Sequence, residues 1–170
     1  RITRQTKAIL LGYPANPTGT VMPIDKLSQI AAVAARHKLL VISDEIYAKL
    51  VYGVEHTCFA AIPGMKKNTV FLGGLSKTYA MTGWRIGYAA ASKEIIAAMT
   101  KIHQYTIMCA PTMAQVAAIE ALKSGENSMT EMAADYNRRR LFIVKGLNDI
   151  GLPCFEPKGA FYAFPSIKST

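Results

Sequence analysis

Five residues whose side chains can carry charge or donate hydrogen bonds stand in this chain at or near the boundaries of short apolar runs. Lys77 lies in Leu75-Ser76-Lys77-Thr78, which follows the run Thr69-Val70-Phe71-Leu72-Gly73-Gly74. A lysine at the end of a buried strand is partly stripped of water, which favours its neutral amine. A neutral amine attacks an aldehyde to form a Schiff base. Asp44 lies in Ser43-Asp44-Glu45-Ile46-Tyr47, at the end of a second apolar run. A carboxylate there needs a partner, because an unpaired charge in a dry site is costly. A protonated pyridine nitrogen is one such partner, and the pairing makes the ring an electron sink. Tyr47, three residues on, offers a hydroxyl to a phenolate-like oxygen. Asn16 sits between Ala15 and Pro17, with Gly19 close behind. Proline restricts the backbone before it and glycine permits unusual dihedrals, so such a turn aims the amide rigidly. Arg85, eight residues beyond Lys77, carries a guanidinium of the kind that grips phosphate through two parallel hydrogen bonds, and the Ser76 hydroxyl adds a further donor. Taken singly, each pattern also fits a plain structural role: a surface lysine, a capping or ion-paired aspartate, a packed tyrosine, a turn asparagine, an exposed arginine.

Position is what joins them. Lys7 to Leu11 reads as a short buried strand running into the turn-rich stretch 12–19. Pro23 and Asp25 open a helix to about His37, with Leu27, Ile30, Ala31 and Ala34 on one face. Leu39 to Ser43 and Thr69 to Gly74 are further apolar strands, and 85–91 is a fourth candidate. Helical spacing then dominates near 93–107, 112–124 and 128–149, with Gly125 and Gly151 where helix C-termini favour glycine. Residues 159–164 read as one more strand. Continuous apolar strands predict a sheet buried on both faces, hence an α/β fold with parallel strands. Ligands of such sheets bind beyond the carboxyl ends of the strands, and Asn16, Asp44 and Lys77 all fall at such ends.

Composition excludes several alternatives. With 51% apolar and 18% charged residues, the chain has the make-up of a globular protein and not of a disordered one. No apolar stretch approaches the roughly 18 residues of a membrane span. The formal charge is +9, but the basic residues are scattered. The densest group, Arg138-Arg139-Arg140, reads as a solvated helix face, and nucleic acid is not expected as a partner. Cys58, Cys109 and Cys154 fit neither a zinc pattern nor a disulfide framework, so no metal is expected and a reducing cytoplasm is the default.

Together, Asn16-Pro17-Thr18-Gly19, Asp44-Glu45-Ile46-Tyr47 and the run Ser76-Lys77-Thr78-Tyr79-Ala80-Met81-Thr82-Gly83-Trp84-Arg85-Ile86-Gly87-Tyr88 resemble the signature segments of class I/II aminotransferases. These are fold-type I pyridoxal-phosphate enzymes, and the likeness is greatest to the aspartate and aromatic branch. It extends to Pro157-Lys158-Gly159-Ala160-Phe161-Tyr162. The resemblance implies a three-layer αβα fold with a partial, mostly parallel sheet. Residues 1–150 would belong to the large cofactor-binding domain and 151–170 would begin the small C-terminal domain. Lys77 would hold pyridoxal 5'-phosphate covalently and later carry the substrate's proton. Asp44 would pair with the pyridinium nitrogen, Tyr47 and Asn16 with the ring oxygen, and Arg85 and Ser76 with the phosphate. The reaction would move an amino group between an L-amino acid and a 2-oxo acid, in a cytoplasmic homodimer.

The resemblance also implies missing parts. An amino-terminal phosphate loop, an aromatic residue stacking on the cofactor, and a carboxyl-terminal arginine for the substrate carboxylate have no counterpart here. Gly74 stands where some relatives carry a phosphate-binding serine. The chain begins at Arg1 and not at methionine, and reads as an internal piece that is not expected to catalyse by itself. Two further readings share the lysine or the fold: a pyridoxal-phosphate carbon–sulfur lyase, and an aminotransferase-like effector domain of a transcription regulator.

Overall fold

The computed structural model describes residues 2–168. Arg1 and positions 169–170, the outer ends of the two expected domain segments, lie outside them. Four strands form one sheet in the order β1 (Ala8–Gly12), β2 (Leu40–Asp44), β3 (Thr69–Gly74), β4 (Gly87–Ala90). The first three run parallel, whereas β4 is antiparallel to β3. The three parallel strands match the expected runs to within a residue or two. The fourth candidate forms as well, but reversed. The connection between Gly74 and Gly87 is twelve residues long, the bare minimum for a parallel crossover, which usually needs a full helix. Here the connection contains just the short helix α2 (Leu75–Thr78) and one 3-10 turn.

Helix α1 (Ile24–Arg36) starts after Pro23, carries Asp25 in its first turn and Arg36 in its last, and so complements the helix dipole at both ends. It buries Leu27, Ala31 and Ala34, spaced at helical intervals, against Leu39, Val41, Phe59, Ile62 and Met65. This is the main core, and it covers one face of the sheet. The opposite face is only partly covered: Leu10, on the outer strand β1, is 72% exposed. The expectation of a sheet buried on both faces therefore holds for Val41 and Val70 but not for Leu10.

Helices α3 (Lys93–Thr106), α4 (Thr112–Ser124) and α5 (Glu126–Asp149) follow the predicted periodicity. Gly125 directly follows α4, and Gly151 takes a left-handed φ of 82° just beyond α5. These helices pack lightly. α3 buries no residue, α4 buries Ala114 and Ala118, and α5 buries Val144, while Tyr105, Met113 and Phe142 stay exposed. Among the described residues no helix is long and apolar enough to cross a membrane.

Two expectations need correction. Residues 159–164 do not form a strand. Only Gly159 makes a bridge, to Val51, and Ala160 takes a left-handed φ of 56°, which breaks extended pairing. The segment is instead tied down by tertiary bonds. Gly159 N–H donates to Gly19 O, Ala160 N–H to Leu50 O, and Tyr52 N–H to Lys158 O, each at 2.9 Å. The approach is close enough to require glycine on both sides. A Cβ on Gly159 would lie 2.6 Å from Pro14 Cβ, and one on Gly19 would lie 2.5 Å from Pro157 Cβ. The Arg138-Arg139-Arg140 cluster is likewise not one solvated face. Arg138 and Arg139 both pair with Asp135 at 2.6 Å. Arg140 is 9% exposed, lies over the Tyr52 ring, donates to Pro157 O at 2.9 Å and pairs with Glu156. It clamps the segment leading to Gly159, because a planar guanidinium serves several acceptors while stacking on a ring.

Candidate active site

Parallel pairing brings the chemistry-bearing residues to one edge. Gly12 pairs with Asp44, and Asp44 with Leu72, so β1, β2 and β3 end side by side. Asn16 follows the first of these strand ends, Asp44 is the last residue of the second, and Lys77 follows the third. Gly74 pairs with Gly87, which carries the start of β4, and with it the nearby Arg85, to the same edge. A Cβ at Gly74 would meet the tip of Ile46 at 2.7 Å, so the absence of a side chain there admits Ile46 beside the β3–β4 junction.

Each group is held in its own way. Asp44 Oδ1 accepts the Ile46 N–H at 3.2 Å and so closes the turn that follows β2. That turn continues through Ala48 N–H to Glu45 O and Leu50 N–H to Tyr47 O, and it buries Tyr47 to 5% exposure. The Tyr47 hydroxyl lies 2.5 Å from the Tyr162 hydroxyl, and the Asn16 side chain is near enough to act on the phenol. Burial, then the Tyr162 hydroxyl and the nearby Asp44 charge, push the Tyr47 phenol well up, against the Asn16 contact. Tyr47 therefore keeps its proton and remains a donor. Lys77 is half-buried in α2, its Nζ 5.6 Å from the centre of the Phe161 ring. Arg85 also takes a left-handed φ, 53°; it is exposed and donates to Thr82 O at 2.9 Å. The Thr82 hydroxyl in turn donates to the Ser76 carbonyl at 3.0 Å, which ties the loop carrying Arg85 back to the turn carrying Ser76 and Lys77.

Asn16, Asp44 and Tyr47 thus form one interacting group. Lys77 is linked to that group through Phe161, whose ring meets Tyr47 edge-on at 5.4 Å. Ser76 and Arg85 share the strand edge and the Thr82 link. Phe161, Tyr162 and Tyr136, which stacks on Phe161 at 5.3 Å, were not expected as site residues. The signal for Phe161 and Tyr162 was the Pro157–Tyr162 motif, whose strand-like pattern hid the aromatic pair's destination, and Tyr136 carried none.

Behind the site, on the α1 side of the sheet, Glu45 is buried. It accepts hydrogen bonds from Ser43 Oγ at 2.8 Å and Phe59 N–H at 3.0 Å, and its Oε2 lies 2.6 Å from His56 Nε2. Burial pushes this carboxyl up, but the bonds from His56, Phe59 and Ser43 outweigh that and leave it below its ordinary value. A depressed carboxyl stabilises the fold above its unfolded value, about 4.3, and loses that contribution as pH falls through the lower folded value. We expect the Glu45→Gln protein to be less stable at pH 7. We also expect a smaller loss of melting temperature than the unsubstituted protein shows as pH drops below about 4. Parallel pH–Tm curves for the two proteins would contradict this assignment.

Among the described residues no cluster of three or more histidine, cysteine, aspartate or glutamate side chains is placed to hold a metal. The donor set present is an amine, a carboxylate, a protonated phenol, an amide, a hydroxyl and a guanidinium along one strand edge. That set suits an anionic, aldehyde-bearing aromatic ring with a basic nitrogen.

The whole chain, residues 1–170, matches the protein family described as aminotransferase class I and II. It is 55% identical over 168 residues to YugH of Bacillus subtilis, a protein named provisionally as an aminotransferase, covering 99% of this chain and 44% of that one. It is 45% identical over 172 residues to an aspartate aminotransferase of Pyrococcus abyssi, again covering 99% of this chain and 44% of the relative. The crystal structure of an aromatic aminotransferase from Pyrococcus horikoshii superposes with a TM-score of 0.95 at 43% identity, over 98% of this chain and 46% of that one. The chain thus spans less than half the length of these relatives.

Proposed function

Since the chain belongs to the class I and II aminotransferase family, we propose that it is a segment of a pyridoxal-phosphate-dependent enzyme that moves an amino group between an L-amino acid and a 2-oxo acid. The observation that carries this reading is the convergence of Asn16, Asp44, Tyr47 and Lys77 at the carboxyl ends of three adjacent parallel strands. Pyridoxal phosphate supplies, when bound, an aldehyde and a ring that withdraws electrons. The residues of this chain supply the rest. Lys77 Nζ holds the cofactor and later carries a proton from the substrate's α carbon. Asp44 sets its charge against the ring nitrogen. Tyr47 and Asn16 donate to the ring oxygen, and Arg85 and Ser76 bind the phosphate. Phe161, next to Lys77, helps keep water away from the amine.

Residues 1–150 are read as part of the large cofactor-binding domain and 151–170 as the start of the small one. The end of α5 at Asp149 and the left-handed Gly151 support a boundary there. The three unpaired cysteines suit a reducing compartment, and we place the enzyme in the cytoplasm. The exposed apolar side chains of α3 to α5 and of β1 need cover from the rest of the protein or from a second copy, which supports a homodimer.

The test is chemical. The whole protein incubated with pyridoxal phosphate, reduced with borohydride and digested should yield one modified peptide, with the label on Lys77. Label on another lysine, or none at all, refutes the reading. Pyruvate release from cysteine-type substrates without amino transfer would replace transamination with carbon–sulfur elimination.

A further inference from the structure

The Tyr47 hydroxyl poses a question of proton count. A phenol has one proton to give and two lone pairs to fill. In this structure its oxygen already has one hydrogen-bond partner, the Tyr162 hydroxyl at 2.5 Å. If Tyr47 spent its proton on Tyr162, none would remain for the ring oxygen that the proposed function asks it to serve. If Tyr162 gives its proton instead, it fills a lone pair of Tyr47 and leaves the Tyr47 O–H free to point outward.

The surroundings favour the second arrangement. The Asp44 charge acts on Tyr47 and disfavours loss of its proton. Tyr162 is also held too firmly for its contact to be incidental. Gly159 and Ala160, just before it, are bonded to Gly19 O and Leu50 O, and the Ala160 carbonyl accepts the Tyr52 hydroxyl at 2.6 Å. The Tyr162 ring meets that of Tyr47 edge-on at 5.8 Å. One anchored segment thereby braces the Asn16 turn through Gly19 and the Tyr47 turn through Leu50.

We propose that Tyr162 is a positioning residue: its hydroxyl donates to the Tyr47 oxygen, which orients the Tyr47 proton toward the cofactor's ring oxygen and makes Tyr47 a stronger donor. The strengthening follows because a hydroxyl that accepts one hydrogen bond is polarised toward donating the next. This inference rests on the proposed function and adds to it a residue that does not itself touch the ring.

The readout is the pH midpoint of the bound cofactor's absorbance change, measured on the whole protein. A donor to the ring oxygen stabilises negative charge there, so weakening it lets the proton be held to higher pH. Tyr162→Phe, which keeps the ring and removes only the hydroxyl, should raise the midpoint by roughly half a unit to one unit, about three- to tenfold in the proton equilibrium. It should also weaken cofactor binding. Replacing Tyr162 with 3-fluorotyrosine, a more acidic phenol and stronger donor, should move the midpoint down. An unmoved midpoint in the Tyr162→Phe protein, or shifts of the same sign in both, overturns the role. Should Tyr162→Phe fail to fold, the fluorinated protein decides alone, since a downward shift supports the role and no shift overturns it. Failure of the unsubstituted protein to take up cofactor on Lys77 is a different result, and it removes the functional reading together with this one.

Discussion

Replacing Lys77 with alanine in the whole protein is expected to abolish transamination, with a loss of at least four orders of magnitude. The general acid–base work of a single side chain is worth about 10²–10⁴-fold, and Lys77 is assigned that work in addition to holding the cofactor. Lys77→Arg separates this role from a structural one. Arginine keeps a cation beside Phe161, where Lys77 Nζ now sits, but in a protein it does not shed its proton and cannot act as an amine nucleophile. Both variants should therefore fail alike in a steady-state assay, while far-UV circular dichroism and melting stay close to those of the unsubstituted protein. Recovery of activity by Lys77→Arg would reduce Lys77 to a packing cation.

Asp44→Ala is expected to lower the rate by about 10²–10³-fold, the scale for removing one preorganised electrostatic partner from a reacting centre. Alanine also removes the acceptor for the Ile46 N–H and so perturbs the turn that carries Tyr47. Asp44→Asn is the informative companion, because its side-chain oxygen can still accept that bond while the charge is gone. If the charge opposite the ring nitrogen is what matters, kcat falls nearly as far with asparagine as with alanine. If turn closure is what matters, asparagine restores most of the rate. A fully active Asp44→Asn enzyme would refute the electrostatic role.

Both residues were visible in the sequence for the same reason. Asp44 and Lys77 stand at the ends of apolar runs, and a strand end is a local property set by a few neighbours. Asn16 was visible in the same way through Pro17 and Gly19. Tyr162 was not. Its partner Tyr47 lies more than a hundred residues away, and the pattern around it, alternating apolar and small residues, favours a strand. What overrides that preference is a set of contacts to Gly19, Leu50 and Tyr52 that no window of neighbouring residues contains. Arg140 was misread alike: beside two exposed arginines it looks solvated, and only the fold puts Tyr52, Pro157 and Glu156 around it.

By itself, then, the sequence determined what short-range physics governs. It set the helices through apolar spacing and the residues at their ends, the three parallel strands through apolar runs closed by turn residues, and the order of Asn16, Asp44 and Lys77 along the chain. The tertiary structure decided the reversal of β4, the lock of Gly159 against Gly19, the burial of Arg140, and the meeting of Tyr47 with Tyr162. Local preferences differ by fractions of a kcal/mol per residue. Closing a long loop onto a tight, fully bonded contact involves several kcal/mol of packing and hydrogen bonding at once, and where the two disagree the contact prevails.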